Sequence, residues 1–239
     1  MKEIKKELCA TYCGPKIDCK DSWGVRSVLR GPVGIFVTAT EAGTDEDCEA
    51  TGRVTKVLID HYTRRPSLED KALVYIARQC SNALFLPGNN RAVCCCDLGA
   101  VLLMDGSIRY FLSGNARIWH FFDGKLDHSI NAAPHPLLGE RFSYTPELLP
   151  PFSLPEGNNA FLIASPRLCS LITDEALEES LYDAATAKEW IGNIVKHTGQ
   201  GAQFCMTAVF LPPAKKHWLR RLMSKGKGHG QKIGGICCQ

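Results

Sequence analysis

The 239-residue chain contains no apolar run approaching the roughly 20 residues that cross a bilayer. Its start, Met1–Glu7 (MKEIKKE), is charged and leads into no apolar stretch of the kind a secretory leader needs. The expectation is a cytoplasmic protein. There is no G-x-x-x-x-G-K-[ST] loop and no Ser/His/Asp signature, so two common catalytic patterns are absent. Acid is missing from one region altogether. Of the 28 Lys/Arg and 25 Asp/Glu, seven Lys/Arg and no acid fall in residues 214–239, which leaves the rest at about −4. That body lacks the basic surplus of a nucleic-acid-binding domain, and no nucleic-acid partner is expected.

What is present fits one domain with an appendage. Hydrophobic residues make up 45% and charged residues 22% of the chain, ordinary for a globular protein with a two-layer core. The division expected is a domain over residues 1–213 and a basic, flexible tail over 214–239. Cysteine is plentiful, at twelve. In a reducing compartment these are thiols or metal ligands rather than a disulfide framework. Cys9-x₃-Cys13-x₅-Cys19 departs from the usual C-x₂-C zinc spacing and reads as free thiols in an N-terminal strand and turn. Cys94-Cys95-Cys96 lies in an apolar run where Cys packs as a small hydrophobe. Strand alternation sends Cys94 and Cys96 to one face and Cys95 to the other.

Periodicity gives strands, helices, strands, helices and a final strand. Trp23–Leu29 and Gly34–Ala39 read as a strand pair turning at 30–33. Residues 46–62 and 68–83 carry apolar side chains at helical spacing, with Val54, Val57 and Leu58 in one and Leu73, Ile76 and Ala77 in the other. Pro87-Gly88-Asn89-Asn90 marks a turn. Two Asp-Gly pairs, Asp105-Gly106 and Asp123-Gly124, sit between apolar runs and predict type I′ hairpins. The Pro-rich stretch 132–155 predicts a long surface loop. Residues 159–165 read as a buried strand. Helices are expected over 174–182, capped by Thr173, and over 184–198. A last strand, 206–211, stops at Pro212-Pro213. The pattern is α+β.

Six segments, spread in order over roughly residues 14–211, resemble the signatures of the type-2C, metal-dependent protein phosphatases, the PPM family. Cys19-Lys20-Asp21-Ser22-Trp23 resembles N-E-D-A-F. Ala39-Thr40-Glu41-Ala42-Gly43 stands where the family writes A-D-G-M-G, with Glu49-Ala50 following as in G-E-x-A-S. Phe111 to Trp119, with Asp123-Gly124-Lys125-Leu126 after it, resembles V-x-N-x-G-D-S-R-A-Y and its later D-G-K-L. In it Asn115 replaces Asp, Ala116 replaces Ser, and Arg117 is retained. Ala164-Ser165-Pro166-Arg167 stands for A-S-D-G, and Phe204-Cys205-Met206-Thr207 for D-N-I-T. The resemblance implies a four-layer α-β-β-α sandwich of two antiparallel sheets flanked by helix pairs.

It also implies what is lost. Family members hold two Mg²⁺ or Mn²⁺ ions that activate water for attack on a phosphate ester. Such hard cations take carboxylate and water oxygens. The resemblance puts Thr40, Pro166 and Phe204 at ligand positions and leaves Asp21 alone. The expectation is a pseudophosphatase: no catalytic residues, no metal, and Asp21, Thr40, Glu41, Asn115, Pro166, Phe204 and Cys205 as degenerate positions. Lys16, Lys20 and Arg117 could still meet a phosphate by charge. The competing expectation is an active phosphatase whose Mn²⁺ or Mg²⁺ is held by Asp21, Glu41, Asp45 and Asp97. Cys205 would need a neighbouring base to become a nucleophile, and none is evident. His120 reads as a surface or edge-strand histidine, and His135 shows no partner. The expected partner is a protein, a kinase or a phosphoprotein. The tail, with Lys215, Lys216, Arg220 and Arg221 around Trp218 and Leu219, could add an anionic membrane surface. Its end, Ile236-Cys237-Cys238-Gln239, is not a prenylation box, because Cys is not fourth from the end.

Overall fold

The computed structural model describes residues 8–14, 23–30, 33–42, 50–85, 95–131, 136–140, 144, 146, 148–199 and 204–211, with the backbone alone at 23–30, 41, 42, 50 and 131. In chain order its strands are β1 (Cys9–Cys13), β2 (Trp23–Arg30), β3 (Val33–Ala42), β4 (Cys95–Met104), β5 (Ser107–Ser113), β6 (Arg117–Phe122), β7 (Lys125–Asn131), β8 (Phe152–Ser153), β9 (Asn159–Ala164) and β10 (Cys205–Leu211). Its helices are α1 (Ala50–Arg64), α2 (Asp70–Asn82), the short α3 (Pro166–Cys169), α4 (Asp174–Tyr182) and α5 (Ala187–Thr198).

The two Asp-Gly pairs do what their chemistry demands. Asp105 and Gly106 have φ of 51° and 79°, and Asp123 and Gly124 have 46° and 81°. Both central residues are left-handed, so each turn twists with its strands and closes β4 on β5 and β6 on β7. The strands form two five-stranded antiparallel sheets, ordered β1-β10-β9-β6-β7 and β2-β3-β4-β5-β8.

Period-2 alternation then builds three apolar layers. On β3, Ile35, Val37 and Ala39 face α1 and α2, meeting Val54, Leu58, Tyr62, Leu73 and Ile76. The intervening Phe36 turns inward to join Val101, Tyr110, Ile118, Phe161, Ile163 and Val209 between the sheets. On the other sheet, Trp119, Phe121, Leu162 and Met206 face α4 and α5, packing on Leu177, Trp190 and Ile194. The result is a four-layer α-β-β-α sandwich. Gly99 marks a close approach of the two sheets: a Cβ there would lie 2.7 Å from Ile163 Cγ2. Arg109 is buried, donating to the Leu68 carbonyl and pairing with Asp70 at 2.6 Å, while its Nε has no partner. Tyr62 ties α1 to β4 through a 3.0 Å bond to the Leu103 carbonyl.

Several expectations are corrected. The stretch 132–155 is not simply a surface loop: Leu138 and Tyr144 are buried in the α1/α2 layer, Leu138 exchanges both backbone hydrogen bonds with Cys96, and β8 extends the β5 edge. The second hairpin is longer than expected, because β7 runs to Asn131. Helix α5 starts at Ala187 rather than Ala184, at a capping box in which Thr186 and Glu189 satisfy each other's backbone N–H groups. Helix α1 runs on to Arg64; residues 46–49 of the expected helix lie outside the described residues. His120 is not a surface histidine: it is 1% exposed and stacks on Phe161 with ring centroids 4.5 Å apart. Burial lowers its pKa, against an opposing hydrogen bond to Asn159. Among the described residues no helix is long and apolar enough to cross a membrane.

Candidate functional site

Strand pairing gathers Thr40, Asn115, Pro166, Phe204 and Cys205 at one end of the sandwich. Thr40 sits near the end of β3, opposite Trp23 on β2 and Asp97 near the start of β4. Leu98 pairs with Ser113 at the end of β5, bringing the turn at Gly114-Asn115 to the same place. In the other sheet Arg117 and Met206 both pair with Ala164 at the end of β9, and Cys205 pairs with Cys13. Two bonds lock the sheets together just inside this end. The Thr207 hydroxyl donates to the Val37 carbonyl at 3.1 Å, and the Thr38 hydroxyl donates to Thr207 Oγ1 at 2.9 Å.

Each position can then be assessed by its surroundings. Phe204 is fully buried, its ring 5.1 Å from that of Tyr12, in the layer beneath α4 and α5. It faces the helices, not the gap between the sheets. Pro166 is the first residue of α3, where its fixed φ and missing N–H are tolerated. Preceding it, Ser165 accepts a 3.1 Å bond from the Cys205 N–H. Thr40 is 6% exposed. The Cys205 thiol is buried 3.8 Å from the Ala39 carbonyl, and burial holds its pKa well above the ordinary value. A buried thiol held protonated in this way is a poor nucleophile. Burial likewise pushes Cys169 up to about 11.

Asp97 is the one buried carboxylate among the described residues. Its Oδ1 accepts a 2.5 Å bond from the backbone N–H of the exposed Asn115. Gly114, at φ +68°, makes room for it: a Cβ there would lie 2.1 Å from the same oxygen. Burial raises the Asp97 pKa, partly offset by the Asn115 N–H. Arg117 is engaged elsewhere. Its guanidinium pairs with Asp174 at 3.1 Å and Ser129 at 2.8 Å, and lies 4.6 Å over the Trp119 ring. It points to the helix layer and is held there.

The described residues of this end do not by themselves suit a pair of Mg²⁺ or Mn²⁺ ions. They offer one carboxylate already bonded to an amide, a threonine hydroxyl, and two side chains without oxygen. Lys16, Lys20, Asp21, Asp45, Lys215, Lys216, Arg220 and Arg221, and the side chain of Glu41, lie outside the described residues. Sequence reading missed a second polar constellation, on the β6–β7 edge of its sheet: His120, Asp127 and His128 offer ligand atoms within 4.8 Å of one another. Only the histidine and Asp-His residue types hinted at it; the strand irregularity that unites them is invisible in the sequence.

No protein-family model matches the sequence, and no curated protein matches it significantly. Solved structures do match, over nearly their whole length. The chain is similar to the PPM Ser-Thr phosphatase MsPP from Mycobacterium smegmatis, in complex with cacodylate, at 16% identity and a TM-score of 0.64, covering 84% of this chain and 96% of that one. The Mycobacterium tuberculosis serine/threonine phosphatase PstP/Ppp gives 15% identity and a TM-score of 0.65, covering 86% and 97%. A chain from a structure described as "The bacterial stressosome: a modular system that has been adapted to control secondary messenger signaling" gives 18% identity and a TM-score of 0.59, covering 85% and 98%. At these identities the likeness establishes the fold: the chain has the PPM phosphatase architecture.

Proposed function

We propose that this chain is a pseudophosphatase: a phosphatase-2C-like module that binds without hydrolysing. It acts as a regulatory or scaffolding part of phospho-signalling in the cytoplasm. The single observation that carries this reading is the environment of Phe204. Where the resemblance expects a metal-binding aspartate, a phenyl ring is fully buried against Tyr12 and beneath two helices. A carboxylate cannot be recovered there by a rotamer change. Thr40 and Pro166 support it, because neither supplies a charged oxygen. The expected partner is a kinase or a phosphoprotein, held by the degenerate end and its loops. The basic residues Lys215, Lys216, Arg220 and Arg221 could add contact with an acidic protein or an anionic membrane. The control of secondary messenger signaling described for the stressosome neighbour is a setting in which such a module would serve.

The competing reading is an active Ser/Thr phosphatase that uses Mn²⁺ or Mg²⁺ on Asp21, Glu41, Asp45 and Asp97. One observation favours it: Asp97 is a buried carboxylate at the right end of the sandwich. Hydrolysis of p-nitrophenyl phosphate across an Mn²⁺ titration, with Asp21→Ala as control, decides between them. The expected result is no Mn²⁺-dependent turnover. Turnover abolished by Asp21→Ala would overturn the pseudophosphatase reading.

A further inference from the structure

The β6–β7 hairpin carries a group of side chains unrelated to the degenerate end. The ladder slips between His120 and Phe121: His120 pairs with His128, Phe121 pairs with Leu126, and Asp127 is the extra residue. A bulge of this kind re-aims a side chain. On a regular strand Asp127 would point away from His128. Here its carboxylate Oδ2 lies 2.8 Å from His128 Nδ1 and 3.3 Å from His120 Nδ1.

The hydrogen-bond network around the cluster settles the role of His120 Nε2. Asn159 Nδ2 donates to the carbonyls of Pro155 and Gly157, at 3.0 and 3.2 Å. That fixes which end of the amide is nitrogen, so the atom 2.9 Å from His120 Nε2 is the oxygen Oδ1. His120 Nε2 therefore donates to that oxygen, and Nδ1 is the ring atom turned to Asp127. This Nδ1 belongs to a side chain 1% exposed, has no partner within hydrogen-bond geometry, and lies 3.3 Å from a carboxylate oxygen. That spacing is one a shared cation would bridge.

We propose that His120 Nδ1, Asp127 and His128 Nδ1 bind a zinc ion. Three features fit. The donors are two imidazoles and one carboxylate, a set that suits a borderline divalent ion such as Zn²⁺. With ligands at about 2.0–2.1 Å, a tetrahedral ion has ligand–ligand edges of roughly 3.3 Å, the spacing seen between His120 and Asp127. The outer partners are also in place. Ligating histidines donate their other N–H to an oxygen, which fixes the ring. His120 does so to Asn159 Oδ1, and His128 Nε2 lies 3.1 Å from the Tyr110 hydroxyl. On binding, His128 takes the tautomer with hydrogen on Nε2, donating to the Tyr110 oxygen. The fourth position faces solvent, beside Asp127 and His128 at 51% and 38% exposed, and would take water or a partner's ligand.

The test uses the full chain, purified under a non-chelating reductant, with zinc as the probe. Bound zinc is counted in wild type, in Asp127→Asn/His128→Gln, and in Cys9→Ser/Cys13→Ser, because thiols are the competing sites. The expected result is that the first variant loses one equivalent while the second keeps it. Tyr110→Phe should weaken zinc about 10- to 100-fold. Should the double variant fail to fold, imidazole ¹⁵N resonances of the wild type give the answer: zinc should shift the Nδ1 signals of two histidines. Equal zinc content in wild type and Asp127→Asn/His128→Gln, zinc that leaves with Cys9 and Cys13, or histidine signals unmoved by zinc would each overturn the proposal.

Discussion

Replacing Phe204 by aspartate would write back the residue type that the phosphatase resemblance expects, so its consequences separate a packed core position from a ligand position. The ring is 0% exposed and lies against Tyr12 and the cluster containing Leu168, Ile194 and Met206. Truncating a buried phenylalanine costs about 3–5 kcal/mol. The new carboxylate adds to this. It must either lie charged among apolar neighbours, at several kcal/mol, or raise its pKa and stay protonated. A loss of about 5 kcal/mol or more is expected, against total stabilities of about 5–15 kcal/mol for domains in general. Phe204→Leu keeps the apolar character and should lose less than about 2 kcal/mol. Urea unfolding followed by circular dichroism, at unchanged m-value, measures both, with and without Mn²⁺. If Phe204→Asp stays within about 1 kcal/mol of wild type, or if Mn²⁺ restores its stability and brings turnover, residue 204 opens onto a metal site and the packing argument fails.

Two further outcomes follow from the same geometry. Gly99→Ala places a methyl 2.7 Å from Ile163 Cγ2 across the sheet interface and should cost about 1–3 kcal/mol by overpacking; a neutral change in a urea titration would mean that the sheets part there easily. Asp97 has a folded pKa raised by burial, so its contribution to stability is fullest below the ordinary carboxylate range and is lost as pH rises through the raised value. Asp97→Asn, which keeps the acceptor for the Asn115 N–H, should therefore gain on wild type between about pH 4 and pH 7. Parallel stability curves for the two proteins would refute the desolvated carboxylate.

The parts of the fold legible in the sequence were those dictated by local chemistry. Asp105-Gly106 and Asp123-Gly124 require positive φ and formed type I′ turns. Thr173 caps α4, its side chain accepting the Ala176 N–H. The unread parts depend on tertiary context. Leu138 and Tyr144 lie in a Pro-rich stretch with no periodicity, and their burial arises from packing on β4 and α2. His120 alternates correctly with Trp119, but its inward face is defined by tertiary packing: Phe161 stacks on it from the neighbouring strand β9, and Tyr110 and Phe152 come from the opposite sheet. The degenerate end was legible as a list of missing acids. That Phe204 would turn under the helices while Cys205 faces the gap between the sheets depends on a register no local motif encodes.

The two ends of this argument make opposite demands on metal. Acids gathered between sheets repel one another until cations arrive, so a carboxylate site makes stability depend on the metal. Here the inter-sheet end is satisfied from within: Thr38 bonds Thr207, Thr207 bonds the Val37 carbonyl, and Asp97 receives the Asn115 N–H. Mn²⁺ has little to neutralise there among the described residues. At the β6–β7 bulge the balance is reversed, because the buried His120 Nδ1 and the Asp127 carboxylate lie 3.3 Å apart, with His128 Nδ1 2.8 Å from the same carboxylate oxygen. Zinc at 100 times its Kd would add about 2.7 kcal/mol, a rise in Tm of roughly 5–11 °C for a chain of this size. Thermal unfolding should thus respond to Zn²⁺ and not to Mn²⁺, and Asp127→Asn should remove the zinc response. A Tm that rises with Mn²⁺ and ignores Zn²⁺ would reverse both assignments, placing the protein's cation at the end where the sequence had lost its acids.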